Sequence, residues 1–451
     1  MRFILISLVL FGTLYSNISI AEEFTVWLDG LKQEAKEAGI SDDTITATIN
    51  HIVLIPSVIK LDRAQPEFIS PFFDYYYQRV DANKIARGRA ILMEHESLLN
   101  EVELKYGVPK SILVAFWGME TNYGSYQGDI DTFSTLATLA YDGRRADFFR
   151  GQLLDAMRIV DAGNANMDEL RGSWAGAFGH MQFMPTTFIT YAVDGDEDGR
   201  IDIVNSEADA FASAANYLSQ AGWREDEPAI IEVQLPENFQ WQNAQLILRK
   251  SVKDWSRLGV RVPVEVLSVD DLQKPQPKVV KTSLVKRKSG KQIKALHKNL
   301  ATSSPLANKA SLSSLPLPTI DGYAAIILPQ GWRGPAFMVF DNFDVIMDWN
   351  RSVNYALSVA QLAKRINGEP RILGGQFAEV GALTFEQMFE LQTALNELGF
   401  DAGEPDGFPG LRTQAAIRAY QLAQHLPADA YASPSVYESV MQQRVYDVMT
   451  E

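Results

Sequence analysis

At 451 residues the chain is longer than one ordinary domain and calls for two or three. Its hydrophobic content of 46% can fill a sizeable core, while a formal net charge of −15 excludes the basic footprint of a nucleic-acid binder. There is no cysteine, so the chain forms no disulfide and offers no site for a lipid anchor on a thiol.

The first residues read as an export signal. Arg2 gives a positive start, Phe3 to Leu14 form an apolar run, and Ser19-Ile20-Ala21 is a small-x-small cleavage site. The run is short for a bilayer span, which makes a membrane anchor the lesser alternative. Residues 1–21 are therefore expected to be removed, leaving a soluble exported protein. From Phe24 to about Leu104 apolar residues recur at helical spacing, as in Phe24, Trp27, Leu28 and Leu31. Pro71 to Tyr77 interrupts this with a dense run of aromatics, for which ordinary helix packing is the plain reading.

Val108 to Gly124 stands out. Pro109 suits a first helical turn, and Asn122 and Gly124 supply stop signals. Between them Leu113, Phe116, Trp117 and Glu120 recur at spacings of three and four, so one helix face carries three large apolar groups and an acid. Such an acid is a buried ion pair or a catalyst, and periodicity alone does not separate the two. A helix over Thr132 to Ala140 and the run Tyr141-Asp-Gly-Arg-Arg145 follow.

Gly172 to Thr187 is rich in small residues that let backbones approach closely. Gln182 lies there among Trp174, Phe183 and Met184, which suits a satisfied core amide as well as a substrate contact. In Asp194-Gly-Asp-Glu-Asp-Gly-Arg-Ile-Asp202 the oxygen ligands at positions one, three and five, with Gly199 at six, match an EF-hand-type calcium loop. Asn205 occupies position twelve, where a bidentate Glu is usual, so Glu207 or Asp209 is left to close the site. A solvated acidic turn is the plainer alternative. The spacing favours calcium, at weak to moderate affinity.

A helix over Ala208 to Leu218 carries Tyr217. Strand patterns then appear at Ala229–Leu235, Val262–Leu267, Ala324–Leu328 and Pro335–Phe340, the last two reading as a hairpin. Between them Gln273 to Ser313 holds many lysines and no Asp or Glu, the composition of a disordered basic insertion. A solvated insertion is its plain role, and a tether to an anionic polymer or acidic partner its sharper one. Asp341 to Ile366 reads as helical, with Trp349-Asn350 and Tyr355 on it. A linker leads to a closing unit from Leu383, with helices over Phe385–Leu398 and Thr413–Ala423 and a last stretch over Pro427–Val440.

Gly118-Met-Glu-Thr-Asn-Tyr-Gly124, Gly172 to Pro185 and the acidic loop at Asp194 occur in the order found in the lytic murein transglycosylase B family, which residues 24 to 370 resemble. The closing unit resembles a peptidoglycan-binding domain through Leu391-Gln392, Gly403 to Gly410, Thr413 and Ala419-Tyr-Gln421, although Pro409 departs from its usual residue. The resemblance implies a mainly α protein. It has a lysozyme-like helical catalytic domain over 22–370, with a small β-sheet subdomain, an EF-hand-like calcium loop and the basic insertion 273–313. A linker over 371–382 and a three-helix peptidoglycan-binding domain over 383–446 follow. It further implies that Glu120 is the catalytic acid/base, and that Tyr75, Arg144, Arg145, Ser173, Gln182, Tyr217, Asn350 and Tyr355 contact the glycan. Asp194, Asp196, Asp198, the Arg200 carbonyl and Asp209 are the implied holders of a structural calcium. The implied partners are peptidoglycan strands, with wall-synthesis or division proteins as candidates. A periplasmic monomer is expected, and no nucleic acid.

Glycosidases usually place two carboxylates about the scissile bond. The motifs here offer one, and in the family resembled the N-acetylmuramic acid 6-hydroxyl supplies the second nucleophile, leaving a 1,6-anhydro end. Burial among Leu113, Phe116 and Trp117 is expected to raise the Glu120 pKa toward working pH, as an acid catalyst needs. A lysozyme-like hydrolase and a non-catalytic wall-binding protein are the alternatives.

Overall fold

The computed structural model describes residues 23–64, 70–265, 312–375 and 381–450. The export signal lies outside these residues, as does the basic insertion apart from Leu312 and Ser313. Residues 23–37 form α1. Then come α2 (Asp42–His51), α3 (Pro56–Ala64), α4 (Phe72–Arg79), α5 (Ala82–Glu94), α6 (Glu96–Tyr106) and α7 (Lys110–Thr121). The aromatic run is thus a helix, α4, with Phe72, Tyr75 and Tyr76 buried. The chain continues through β1 (Ile130–Asp131), α8 (Thr132–Asp142), α9 (Ala146–Asp161), β2 (Arg171–Gly172), α10 (Pro185–Tyr191) and α11 (Glu207–Gln220).

Helix α7 is the axis of this body. It was expected to bury one face, but every residue from Ser111 to Gly118 is buried. A helix apolar on all sides belongs in the interior, and α5, α6, α11 and the later helix α14 (Val353–Ile366) enclose this one.

Before α14 come β3 (Ile230–Val233), β4 (Lys250–Ser251), α12 (Val252–Arg257), β5 (Arg261–Glu265), β6 (Leu312–Pro316), β7 (Tyr323–Ile327), β8 (Ala336–Val339) and α13 (Asp341–Trp349). Strands β3, β8, β7 and β4 make an antiparallel sheet in that order, with Ile326 opposite Met338 in the β7–β8 hairpin. Strand residues alternate between faces. Ala325, Ile327, Phe337 and Val339 face the helical core, while Ala324, Ile326, Ala336 and Met338 join a second core around Phe239 and Trp255. The sheet is therefore a wall buried on both sides. β6, paired with β5 at the end of the basic insertion, and the two-residue β4 add to the four expected strands.

The expected single helix over Asp341–Ile366 is two, α13 and α14, because Asn350 is extended and Ser352 caps a new helix by accepting from the Tyr355 N–H at 3.3 Å. The closing unit packs α15 (Phe385–Glu397), α16 (Leu411–Ala423) and α17 (Pro434–Thr450) around Leu391, Leu395, Ile417, Tyr420 and Val440. Among the described residues no single helix is long and apolar enough to cross a membrane.

Candidate active site

Glu120 sits half-buried on the last turn of α7. The helix stops there because Asn122 and Tyr123 adopt left-handed backbone, at φ 50° and 62°. Gly118 gives the returning Tyr123 ring its place, since a Cβ on it would lie 2.7 Å from that ring. The Tyr123 hydroxyl donates to the Lys84 carbonyl at 2.7 Å, and Lys84 Nζ donates to the Gly118 carbonyl at 2.7 Å. Burial lowers the Lys84 pKa and raises that of Tyr123. A cation thus meets the C-terminal carbonyls of α7, where the helix dipole favours it.

A second tie runs to the loop 172–187. Trp117 Nε1 donates to His180 Nδ1 at 3.1 Å, and the Thr121 hydroxyl donates to the His180 carbonyl at 2.9 Å. Burial lowers the His180 pKa, which favours the neutral ring that can accept from Trp117.

The Glu120 carboxyl is addressed from α13 and α14. Trp349 Nε1 donates to Oε1 at 3.0 Å, and the Tyr355 hydroxyl donates to the same oxygen. On an unbroken helix, six residues at about 100° each would put Trp349 and Tyr355 some 120° apart. The break at Asn350–Ser352 brings both onto one oxygen. These donors stabilise charge on Oε1, so the carboxyl is not in the purely apolar setting suggested by its own helix face.

The Trp349 ring lies 4.5 Å from Phe116, 5.0 Å from Tyr217 and 5.3 Å from Phe183, between ring centroids. Tyr217 has its pKa pushed up to about 12, chiefly by burial and then by Asp348. Glu120, Tyr355 and Tyr217 are thus gathered around Trp349, a residue that sequence reasoning set on its helix without giving it a role in the site. Its position beside Asn350 was the available hint.

The other expected residues are placed differently. Asn350 Oδ1 accepts from the Ser352 N–H at 3.1 Å and shapes the break. Tyr75 is buried on α4, with the Arg79 guanidinium 4.4 Å above its ring. Ser173 Oγ accepts from the Ala175 and Ala177 N–H groups at 3.3 and 3.2 Å, and Gln182 Nε2 donates to the Gln127 and Gly179 carbonyls at 2.8 and 3.0 Å. These two side chains hold the loop in shape. Among the described residues, Arg144 and Arg145 hydrogen-bond to Asp62 and not to Glu120, Trp349 or Tyr355. Both bind the buried carboxylate of Asp62, Arg144 Nε at 2.6 Å and Arg145 Nη2 at 2.5 Å.

In the acidic loop, carboxylate oxygens of Asp194, Asp196 and Asp209 lie within 4.8 Å of one another. Asp209, fully buried, also accepts from the Gly195 N–H at 2.7 Å and the Asp202 N–H at 2.6 Å. Asp198 is outside the cluster, its Oδ1 accepting from the Arg200 N–H at 2.8 Å. Glu207 turns instead to His95, at 3.3 Å. Three convergent acids, one of them buried, suit a hard divalent cation.

Residues 23–302 and 272–364 match the family described as transglycosylase SLT domain, and residues 386–439 that described as putative peptidoglycan binding domain. The chain belongs to the transglycosylase SLT-domain family. As a lytic transglycosylase of this family it is an enzyme acting on peptidoglycan. It is 28% identical over 298 residues to membrane-bound lytic murein transglycosylase B of Escherichia coli (strain K12), covering 65% of this chain and 66% of that protein. SltB3 from Pseudomonas aeruginosa, solved in complex with NAG-anhNAM-pentapeptide, is 36% identical with a TM-score of 0.79, covering 93% of this chain and 99% of that one. The Escherichia coli lytic transglycosylase Slt35, solved in complex with calcium, shares the fold at 22% identity and a TM-score of 0.56, covering 75% of this chain and 92% of that one.

Proposed function

We propose that Glu120 is the single general acid/base of this lytic transglycosylase, and that it cleaves the β-1,4 bond between N-acetylmuramic acid and N-acetylglucosamine. The observation that carries the reading is the Glu120 carboxyl at the end of a buried helix, with Trp349 and Tyr355 both donating to its Oε1. The protonated carboxyl gives its proton to the glycosidic oxygen as the C1–O bond breaks and its electron pair passes to the leaving sugar. The muramic 6-hydroxyl oxygen then bonds to C1, and its proton goes to the Glu120 carboxylate. The product is a 1,6-anhydro end, no water is consumed, and the acid is regenerated.

Proton transfer of this kind contributes about 10²–10⁴-fold. Positioning must supply much of the rest. Tyr75, Tyr217 and Tyr355 are the polar side chains assigned to contacting the glycan, and Ser173, Gln182 and Asn350 are assigned to it through the loop and the helix break that they shape. Arg144 and Arg145 are assigned a supporting role through Asp62, with one positive charge of the trio left over for an anionic substituent. Asp194, Asp196 and Asp209 would hold a calcium ion, which when bound ties the loop to the start of α11. An exported enzyme of this kind works on the wall from the periplasm.

Glu120→Gln tests the assignment. The variant is expected to fold and to bind peptidoglycan while losing turnover by about 10²-fold or more. Near-normal turnover removes Glu120 from the role.

A further inference from the structure

Away from Glu120, a cavity of about 480 Å³ opens between the sheet subdomain and the closing domain. One wall is the β7–β8 connection at Gln330–Arg333, and the other includes Tyr431, Ser433 and Ser439. The connection is clamped from both sides. Asp429, buried in the closing domain, accepts from the Trp332 N–H at 2.8 Å, from Gln421 Nε2 at 2.7 Å and from the Tyr431 N–H at 3.0 Å. Gly331 permits this approach, since a Cβ there would lie 2.9 Å from the Asp429 carboxylate. Behind it, Gln330 Oε1 accepts from the Phe73 N–H at 3.0 Å, on the helix that carries Tyr75. The cavity is thus fixed in shape and tied to the catalytic domain.

The clamp presents two exposed side chains at this cavity. Trp332 is 40% exposed, and the Arg333 guanidinium stacks 4.6 Å over its ring. Arg333 has no carboxylate partner among the described residues, although the chain as a whole is strongly acidic. An aromatic ledge with an exposed guanidinium, beside hydroxyl groups and with the one carboxylate of the lining, Asp429, already accepting three hydrogen bonds, suits a ligand that is part apolar and carries a carboxylate. The glycan backbone of peptidoglycan offers amides and hydroxyls, and the carboxylates belong to its peptide stems.

We propose that this cavity is a second substrate site that takes the peptide stem, with a stem carboxylate on Arg333 and stem aliphatic surface against Trp332. The inference rests on the reading of the protein as acting on peptidoglycan. It assigns the closing domain a share in recognising the stem, through a site that neither domain forms alone.

The test uses the full chain and two exposed substitutions, Arg333→Ala and Trp332→Ala, with the free stem pentapeptide as probe in a calorimetric titration. Arg333→Ala is expected to melt at the wild-type temperature and to bind the pentapeptide about tenfold more weakly, the size of one charge-assisted contact. Trp332→Ala, which also loses its packing on the Trp241 ring 5.8 Å away, is expected to weaken binding by about tenfold with a lowered melt. Amidating the stem carboxyls should cost the wild type a similar factor and cost Arg333→Ala nothing further. Both variants should still release anhydro products from stem-free glycan strands. Wild-type affinity for the pentapeptide in Arg333→Ala overturns the proposal, as does an equal loss on amidation in both proteins. A wild-type protein that forms no anhydro product from any strand would instead refute the catalytic reading, so the two failures are distinguishable.

Discussion

Trp349→Phe removes one hydrogen bond and leaves most of a ring. The lost contact is Trp349 Nε1 to Glu120 Oε1 at 3.0 Å, a bond to an ionisable group of the kind worth roughly 1.5–3 kcal/mol. If that bond positions the acid for proton transfer, kcat should fall by about 10- to 150-fold. The phenylalanine ring still packs against Phe116, Tyr217 and Phe183, so stability should drop by only about 1 kcal/mol, against roughly 3–5 for Trp349→Ala. KM should barely move, because the indole N–H is spent on the enzyme's own carboxyl. Steady-state kinetics on soluble glycan strands, beside a thermal melt, read both effects. Adding Tyr355→Phe should cost less than the sum of the two single changes, since both donors share one oxygen. Wild-type kcat in Trp349→Phe, or a loss carried wholly by KM, would refute this account of how Glu120 is oriented.

Chelation should lower the melting temperature. A cation at a hundred times its Kd stabilises by about 2.7 kcal/mol, which at about 2–4 °C per kcal/mol is a shift of roughly 5–10 °C. Asp209→Ala should abolish the chelator's effect and Asp198→Ala should largely retain it, as only Asp209 belongs to the convergent trio. An unchanged melt in chelator would dispose of the calcium site. His180 predicts a loss of stability in acid. Its folded pKa lies below the ordinary 6.5, so on acidification the unfolded chain takes up the proton first. Stability is therefore whole above about 6.5 and falls as pH drops from there toward the folded pKa. Melting curves of His180→Gln, which keeps an acceptor for Trp117, should lose that part of the slope.

What was legible in the sequence was what local pattern determines. Pro109, the apolar spacing and Asn122 delimit α7 and put Glu120 at its end. The β7–β8 hairpin follows from two apolar runs joined across a Gly-rich turn. The Asp-x-Asp spacing located the acidic loop, and Asp209 was already one of two candidates to close it. Contacts distant in the chain were not legible. Asp62, which takes both arginines, lies 82 residues before Arg144. The break between α13 and α14 hangs on a single capping serine within an otherwise helical pattern. Without that break Trp349 looks like one more core aromatic. The apolar spacing of α7 likewise did not reveal that helices from four parts of the chain enclose it. The partners that orient Glu120 come from more than two hundred residues away, and nothing local marks them.

The most direct measurement is the mass of the muropeptides released from purified peptidoglycan by the wild-type protein in ¹⁸O-labelled water. A single acid/base that uses the muramic 6-hydroxyl must yield 1,6-anhydro ends, one water lighter than reducing ends and free of ¹⁸O. Reducing ends carrying ¹⁸O would contradict the account, because they require water as the nucleophile and a second group to direct it.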